Sequence, residues 1–223
     1  MGDTARGDRD AYPALRLHRG VVALRQSTPT TCGSAALVVA RMMADPQFAE
    51  WVRSGAARRP PAPGLDGLAT AGERFAAYEQ VVRDRTARAL PGSSWRLIPQ
   101  LPWPKFWGTA PWAALRELAS ATGSSLWSYR VVRLRGRSRD ERIAVQAQLE
   151  KRVSTRRPAL LYTGNALLPR HVTLLVPDDD GSGLDVYEPS SGTVSSLPPD
   201  ALATDHLAGA GWPVPWLVVA PGR

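Results

Sequence analysis

The sequence predicts an α+β fold in which N-terminal helices, one of them central and buried, pack on a C-terminal antiparallel β-sheet. Three observations carry that expectation. Ala35, Ala36, Leu37, Val38, Val39, Ala40, Met42 and Met43 are apolar almost all the way round a helix, as a helix enclosed on every side must be. HVTLLV at 171–176 and LDVYE at 184–188 flank the turn-forming PDDDGSG, which reads as a hairpin. No internal repeat is visible, and helical patterns come first and strands after. At 223 residues the chain is long enough for one well-filled core, so a single domain is expected.

Taken in order, residues 1–19 read as a loose tail, its first twelve residues being polar and charged. GVVALR at 20–25 is β-branched and apolar, suiting a short strand that leads into a turn at Pro29. The apolar helix starts near Thr31, with Thr30 and Thr31 as good cap residues, and Asp45-Pro46 ends it or begins a new segment. A Gly/Pro-rich connector, SGAARRPPAPGLDGL, precedes a helix near 70–89 with Phe75, Tyr78, Val81 and Val82 on one face. After an aromatic, proline-rich stretch, helix signals resume with Thr109 as N-cap candidate, Pro111 in the first turn and Gly123 at the close. Further expected elements are a strand over 126–134, a helix from Asp140 to about 154, ALLYTG at 159–164 as a strand, and WLVVA at 216–220 as the last strand.

Composition excludes several classes. No stretch approaches the roughly 18 apolar residues of a membrane helix, and none resembles a signal peptide, so a chain without a membrane span is expected. The single cysteine, Cys32, makes no internal disulfide and fits a reducing cytoplasm. The net charge of +8 invites a nucleic-acid partner. Against it, the arginines are spread along the chain apart from Arg130, Arg133, Arg135, Arg137, Arg139 and Arg142, and that group reads as a solvated strand end and helix start. No nucleic-acid partner is expected. Cofactor and metal are not expected either: Asp178, Asp179 and Asp180 sit in a glycine-containing turn, but position twelve from Asp178 is Pro189 where a calcium loop needs glutamate. One cysteine with scattered histidines has no zinc-ligand spacing, and His18 and His206 read as surface residues.

Cys32 falls where a helix begins. There the unpaired N–H groups and the helix dipole favour a thiolate, although free cysteine is equally at home as a small buried hydrophobe. A nucleophile needs a base, a group that orients the base, and donors for the developing oxyanion. His171 opens a strand, and Glu188 ends the strand paired with it, before Pro189-Ser190-Ser191-Gly192. In a tight hairpin the start of one strand lies beside the end of the next, so these two side chains are expected to be neighbours. Gln26 lies six residues before Cys32, where its amide can donate beside the Cys32 N–H.

Gln-x5-Cys-Gly before a small, apolar helix, a strand beginning in His, and a strand ending in acid-Pro-x-x-Gly resemble the papain-like cysteine peptidases. The resemblance is to the bacteriocin leader-processing type that cuts after double-glycine leaders, and to its stand-alone relatives, and it covers about residues 20–44 and 109–220. It implies a papain-like fold over residues 20–223 with an insertion at about 45–108. It also implies Cys32 as nucleophile, His171 as general base, Glu188 as orienting acid and Gln26 as oxyanion donor. The chain departs from the family pattern in having Glu188 where Asp is usual, Thr31 where Asp is frequent, and so long an insertion. Asp185 and Ser190 are alternative partners for His171. Gly33 permits close approach at the site. Trp103, Trp107 and Trp112, among prolines, either line a groove for an extended peptide or pack the insertion onto the domain.

The function expected is a cysteine-dependent peptidase or amide hydrolase, or an acyl transferase, acting on a peptide or protein substrate. The alternative is a catalytically idle domain of the same fold that binds a peptide or protein. A secretion or transport partner is left open.

Overall fold

The computed structural model describes residues 13–20, 22–56, 60–88, 109–207 and 210–222. Five helices and six strands order the described chain as α1 (Cys32–Ala44), α2 (Pro46–Ser54), α3 (Ala71–Arg88), α4 (Pro111–Ala121), β1 (Tyr129–Arg133), α5 (Arg139–Arg152), β2 (Ala159–Gly164), β3 (Pro169–Pro177), β4 (Leu184–Glu188), β5 (Thr193–Leu197) and β6 (Val214–Pro221). The strands form one antiparallel sheet in the order β1-β6-β2-β3-β4-β5. This is the α+β arrangement expected, with the cysteine helix central and packed on the sheet.

The sheet is covered on both faces, which explains why β2 and β4 are buried at every position, including Asp185 and Glu188 of β4, each of which has an ionic partner. On one face Leu160, Tyr162, Val172, Leu174 and Val176 meet Ala36, Leu37, Val39 and the other apolar residues of α1 in the larger core. On the other, Leu161, Leu175, Val186 and Val218 meet Leu149 of α5 and Leu202. Helix α1 touches α2, α3, α4 and β3, and its all-round apolar surface follows from that enclosure. The segment from Asp45 to Arg88, within the expected insertion, supplies α2 and α3. Asp45 caps α2 by accepting the Phe48 N–H, and Pro46 stands at its first position. Buried Arg74 of α3 donates to the carbonyls of Val52, Arg53, Leu68 and Ala69, which ties the end of α2 to the connector.

Several expected elements differ. Residues 22–26 form no strand: the Ala23 and Gln26 N–H groups donate to Gly192 and Pro189, so their partner is a turn that offers no ladder to continue. Ser138, not Asp140, caps α5, because Ser138 and Glu141 bond each other's backbone in a reciprocal capping box. Ala110 occupies the cap position of α4, while Thr109 is buried and its carbonyl accepts the Tyr162 hydroxyl. A short 3-10 turn at Leu126–Ser128 precedes β1. Strand β5 has only a weak apolar alternation in TVSSL and is held by its ladder to β4. Of the N-terminal stretch, residues 13–19 are packed: Leu17 is in the larger core, the Leu15 N–H donates to Met42, and Arg19 pairs with buried Asp185.

Candidate active site

Cys32 is the first residue of α1 and only 3% exposed. Thr31 stands at the cap position, yet its hydroxyl turns back to Thr28, accepting the Thr28 N–H and donating to the Thr28 carbonyl. No side chain caps α1, so the positive end of the helix dipole and its first-turn donors are left beside the thiol. The residue after Cys32 is glycine for a steric reason. A Cβ on Gly33 would fall 2.6 Å from Thr109 Oγ1 and 2.8 Å from Thr109 Cβ. Thr109 thus fills the space over Gly33, and Tyr162 holds the Thr109 carbonyl in turn. Gly33 is buried beneath that contact and lines no open space.

His171 is the third residue of β3, and Glu188 the last of β4. The ladder pairs Leu174 with Tyr187, so one step further Glu188 faces Thr173 and His171 lies diagonally along the same strand face. Nε2 of His171 lies 2.7 Å from Oε1 and 2.8 Å from Oε2 of Glu188. The extra methylene of glutamate is taken up by this diagonal reach. The Ser190 N–H donates to Glu188 Oε1 at 2.9 Å, which fixes the carboxylate. Asp185 is engaged elsewhere, with Arg19 at 2.7 Å. Gly211, at φ 72°, covers the pair: a Cβ there would meet His171 Cδ2 at 2.7 Å and Glu188 Oε2 at 2.9 Å.

Cys32 lies close enough to His171 to act on its titration. With Nε2 committed to the carboxylate, Nδ1 is the ring nitrogen left for the sulfur. Burial alone would push the imidazole down. The hydrogen bonds and charges of Cys32 and Glu188 outweigh it and raise the value from 6.5 to about 9. For Glu188, burial pushes upward, but the bonds and charge of His171 and the Ser190 contacts prevail and hold the carboxyl below its usual range. The two directions agree: both favour an ion pair between the imidazole and the Glu188 carboxylate. Tyr162, fully buried, is raised well above its usual value by burial first and by the neighbouring Cys32 charge second, so it stays a neutral donor to Thr109.

Gln26 is half-buried in the loop before α1. Its Nε2 donates to the Thr28 carbonyl at 2.8 Å, and its Oε1 is buried with no partner among the described residues. Trp112, half-buried, lies in the first turn of α4, three residues past Thr109. Trp103 and Trp107 lie outside the described residues. An open groove of about 430 Å³ runs beside the acid, lined by Glu188, Ser191, Thr193, Leu207, Trp212 and Pro213 with Gly211.

Four of the six arginines of 130–142 are in ion pairs, Arg135 and Arg142 with Asp205, Arg137 with Glu141 and Arg139 with Asp200, and Arg130 donates to Gln148. His18 lies 2.8 Å from Asp179 in the β3–β4 turn. Among the described residues no cluster of three or more potential metal ligands occurs, and no helix is long and apolar enough to cross a membrane. Tyr162, Gly211 and Glu79 are not marked by any sequence motif, and Thr109 reads from the sequence only as a helix cap. For Glu79 a signal existed, since it shares the apolar face of Phe75, Tyr78 and Val82 and is fully buried.

No family profile and no curated protein matches the chain. Among solved structures it is similar to one described as the crystal structure of the Pseudomonas avirulence protein AvrPphB, at 16% identity and a TM-score of 0.45, over 90% of this chain and 95% of that one. A likeness of that strength leaves the chemistry to the residues themselves.

Proposed function

We propose that the protein is a cysteine peptidase or amide hydrolase of papain-like type, with Cys32 as nucleophile, His171 as general base and acid, Glu188 as orienting acid and Gln26 as oxyanion donor. The observation that carries this reading is the placement of one imidazole between the only cysteine, at an uncapped helix N-terminus, and a carboxylate bound to its far nitrogen.

The Cys32 thiolate attacks the carbonyl carbon of a peptide or amide bond, forming the C–S bond as the carbonyl π electrons move to oxygen. The Cys32 N–H and the second hydrogen of the Gln26 amide, the first being held by Thr28, stabilise the oxyanion. As the tetrahedral adduct collapses, the C–N bond breaks and His171 delivers its proton to the leaving amine. Water then attacks the thioester, giving one proton to His171 and releasing the acid, and the imidazolium–thiolate pair is restored. Glu188 keeps Nε2 protonated and oriented throughout. An amine in place of water gives acyl transfer by the same steps. The substrate is a peptide, and the bacteriocin leader-processing resemblance points to cleavage beside small residues, which fit a thiol so closely enclosed.

Alkylation of Cys32 by iodoacetamide across pH tests the reading. At about pH 6 the wild type reacts at least about 10-fold faster than His171→Ala, and the two rates converge at high pH, where an unassisted thiol, ordinarily near 8.5, ionises by itself. Superimposable profiles would leave Cys32 an ordinary buried thiol, as in a catalytically idle domain.

A further inference from the structure

We infer that Glu79, on helix α3 of the insertion, is a positioning residue for the oxyanion-binding loop, so that the insertion completes the active centre as well as adding bulk around it. The inference rests on the reading above, in which Gln26 and the Cys32 N–H receive the oxyanion.

Glu79 is 0% exposed. Its Oε2 accepts the N–H of Ser27, the residue directly after Gln26, at 2.9 Å, while its Oε1 is buried with no hydrogen-bond partner among the described residues. A buried carboxylate with one oxygen unpaired is a poor choice for stability, since a glutamine or an apolar residue at the same place avoids the desolvation cost. What the carboxylate does supply is a rigid acceptor, reaching 52 residues back along the sequence to the loop. Gln80, the next residue of α3, reinforces it by donating from Nε2 to Ser27 Oγ at 3.3 Å.

The loop needs such support. Residues 22–31 join no strand, and their backbone groups are satisfied one at a time from different elements. On the sheet side, Ala23 N–H donates to Gly192, Gln26 N–H to Pro189, and the Tyr187 hydroxyl to the Leu24 carbonyl. These three bonds fix the loop up to Gln26. Past Gln26 the hold comes from Glu79, and the next bonds, Gln26 Nε2 to the Thr28 carbonyl and Thr31 to Thr28, lie within the loop itself. Glu79 is therefore the point at which the oxyanion loop is anchored to a separate rigid element between Gln26 and the start of α1. Loosening it lets the Gln26 amide and the Cys32 N–H drift apart, although both remain chemically intact.

Two probes of Cys32 separate this role from a merely structural one. Iodoacetamide alkylates sulfur by displacement at a saturated carbon and forms no oxyanion. p-Nitrophenyl acetate acylates it through a tetrahedral oxyanion and releases p-nitrophenolate. Glu79→Asp, which keeps the charge but withdraws the oxygen, is expected to slow acylation about 10- to 100-fold while alkylation stays within about twofold. Glu79→Gln, which keeps an oxygen at full reach and removes the charge, is expected to hold both rates within about threefold of wild type. Both variants are compared with wild type by thermal melting, and the quantity read is the ratio of acylation to alkylation in the folded protein. An unchanged ratio in Glu79→Asp, or a ratio lower in Glu79→Gln than in Glu79→Asp, overturns the assignment. If wild-type acylation is no faster than that of Cys32→Ala, the hydrolase reading itself falls and takes the assignment with it.

Discussion

The two halves of the candidate site are built by different means. His171 and Glu188 sit on β3 and β4 just past the end of an antiparallel ladder that sets the register of the two strands, and a slip of one residue in either strand would turn its side chain to the other face. Cys32 and Gln26 sit at a helix start and on an irregular loop. There the fixing contacts come singly, from the Pro189 and Gly192 carbonyls of one turn, the Tyr187 hydroxyl of β4 and the Glu79 carboxylate of α3. The sheet half is thus specified by local periodicity and resists single losses. The loop half is specified by distant side chains, and a single substitution far along the chain displaces it. The halves meet at one turn: Pro189 takes the Gln26 N–H, and Ser190 holds the Glu188 carboxylate.

The largest effect is expected where the sheet half does its chemistry. Glu188→Gln preserves size but removes the charge that faces Nε2, so the imidazolium paired with the thiolate loses its counter-charge and the ring loses its enforced orientation. The rate of Cys32-dependent ester hydrolysis is expected to fall by about 10²- to 10⁴-fold, with the fold intact by circular dichroism. A loss smaller than about threefold would show that Glu188 orients nothing that matters to the reaction.

A smaller effect on stability comes from the same pair. His171 is raised from 6.5 to about 9 on folding, so it contributes stability that is complete below about 6.5 and is lost as the pH climbs through about 9. Glu188 is lowered, so its contribution is present above the ordinary value of 4.5 and is lost as the pH falls through the lowered one. The pair therefore stabilises most between about 4.5 and 6.5. Urea unfolding of the wild type between about pH 6.5 and 9.5 is expected to reveal a decline of roughly 3 kcal/mol at most from this source, each pH unit being worth about 1.4 kcal/mol. In Glu188→Gln the decline in that window is expected to flatten. An equal slope in both proteins would locate its source elsewhere.

The same contrast governs what the sequence makes legible. Strands β2 and β4 are read to the residue, β2 because a sheet buried on both faces favours a nearly continuous apolar run and β4 because turn residues bound LDVYE on both sides. The nearness of His171 to Glu188 follows from hairpin geometry once those bounds are known. Helix α1 is legible because enclosure on all sides leaves it no polar face. By contrast, 20–25 has a strand's composition but meets a turn, and strand propensity says nothing about what lies opposite. Strand β5, with two serines and a threonine, is made a strand by β4 alone. Thr109 and Gly211 act through close backbone or side-chain approach, which leaves no periodic trace in a sequence.

Gly33 isolates the loop half in one substitution. Its place after Cys32 invites a role in admitting substrate, but the direction in which a Cβ would point is already occupied by Thr109, 2.6 Å away at Oγ1 and 2.8 Å at Cβ. Thr109 cannot retreat freely, since Tyr162 holds its carbonyl at 2.9 Å and the helix start at Pro111 follows directly. Gly33→Ala is therefore expected to cost about 1–3 kcal/mol through overpacking, read as a lowered urea midpoint at unchanged m-value. If the clash is the cause, Thr109→Gly in the Gly33→Ala background recovers part of that loss, although Thr109→Gly alone destabilises by removing a buried side chain. Such opposite signs in a double-mutant cycle require direct contact. If Gly33 served substrate entry instead, Gly33→Ala would leave stability unchanged and lower turnover alone, and Thr109→Gly would rescue neither.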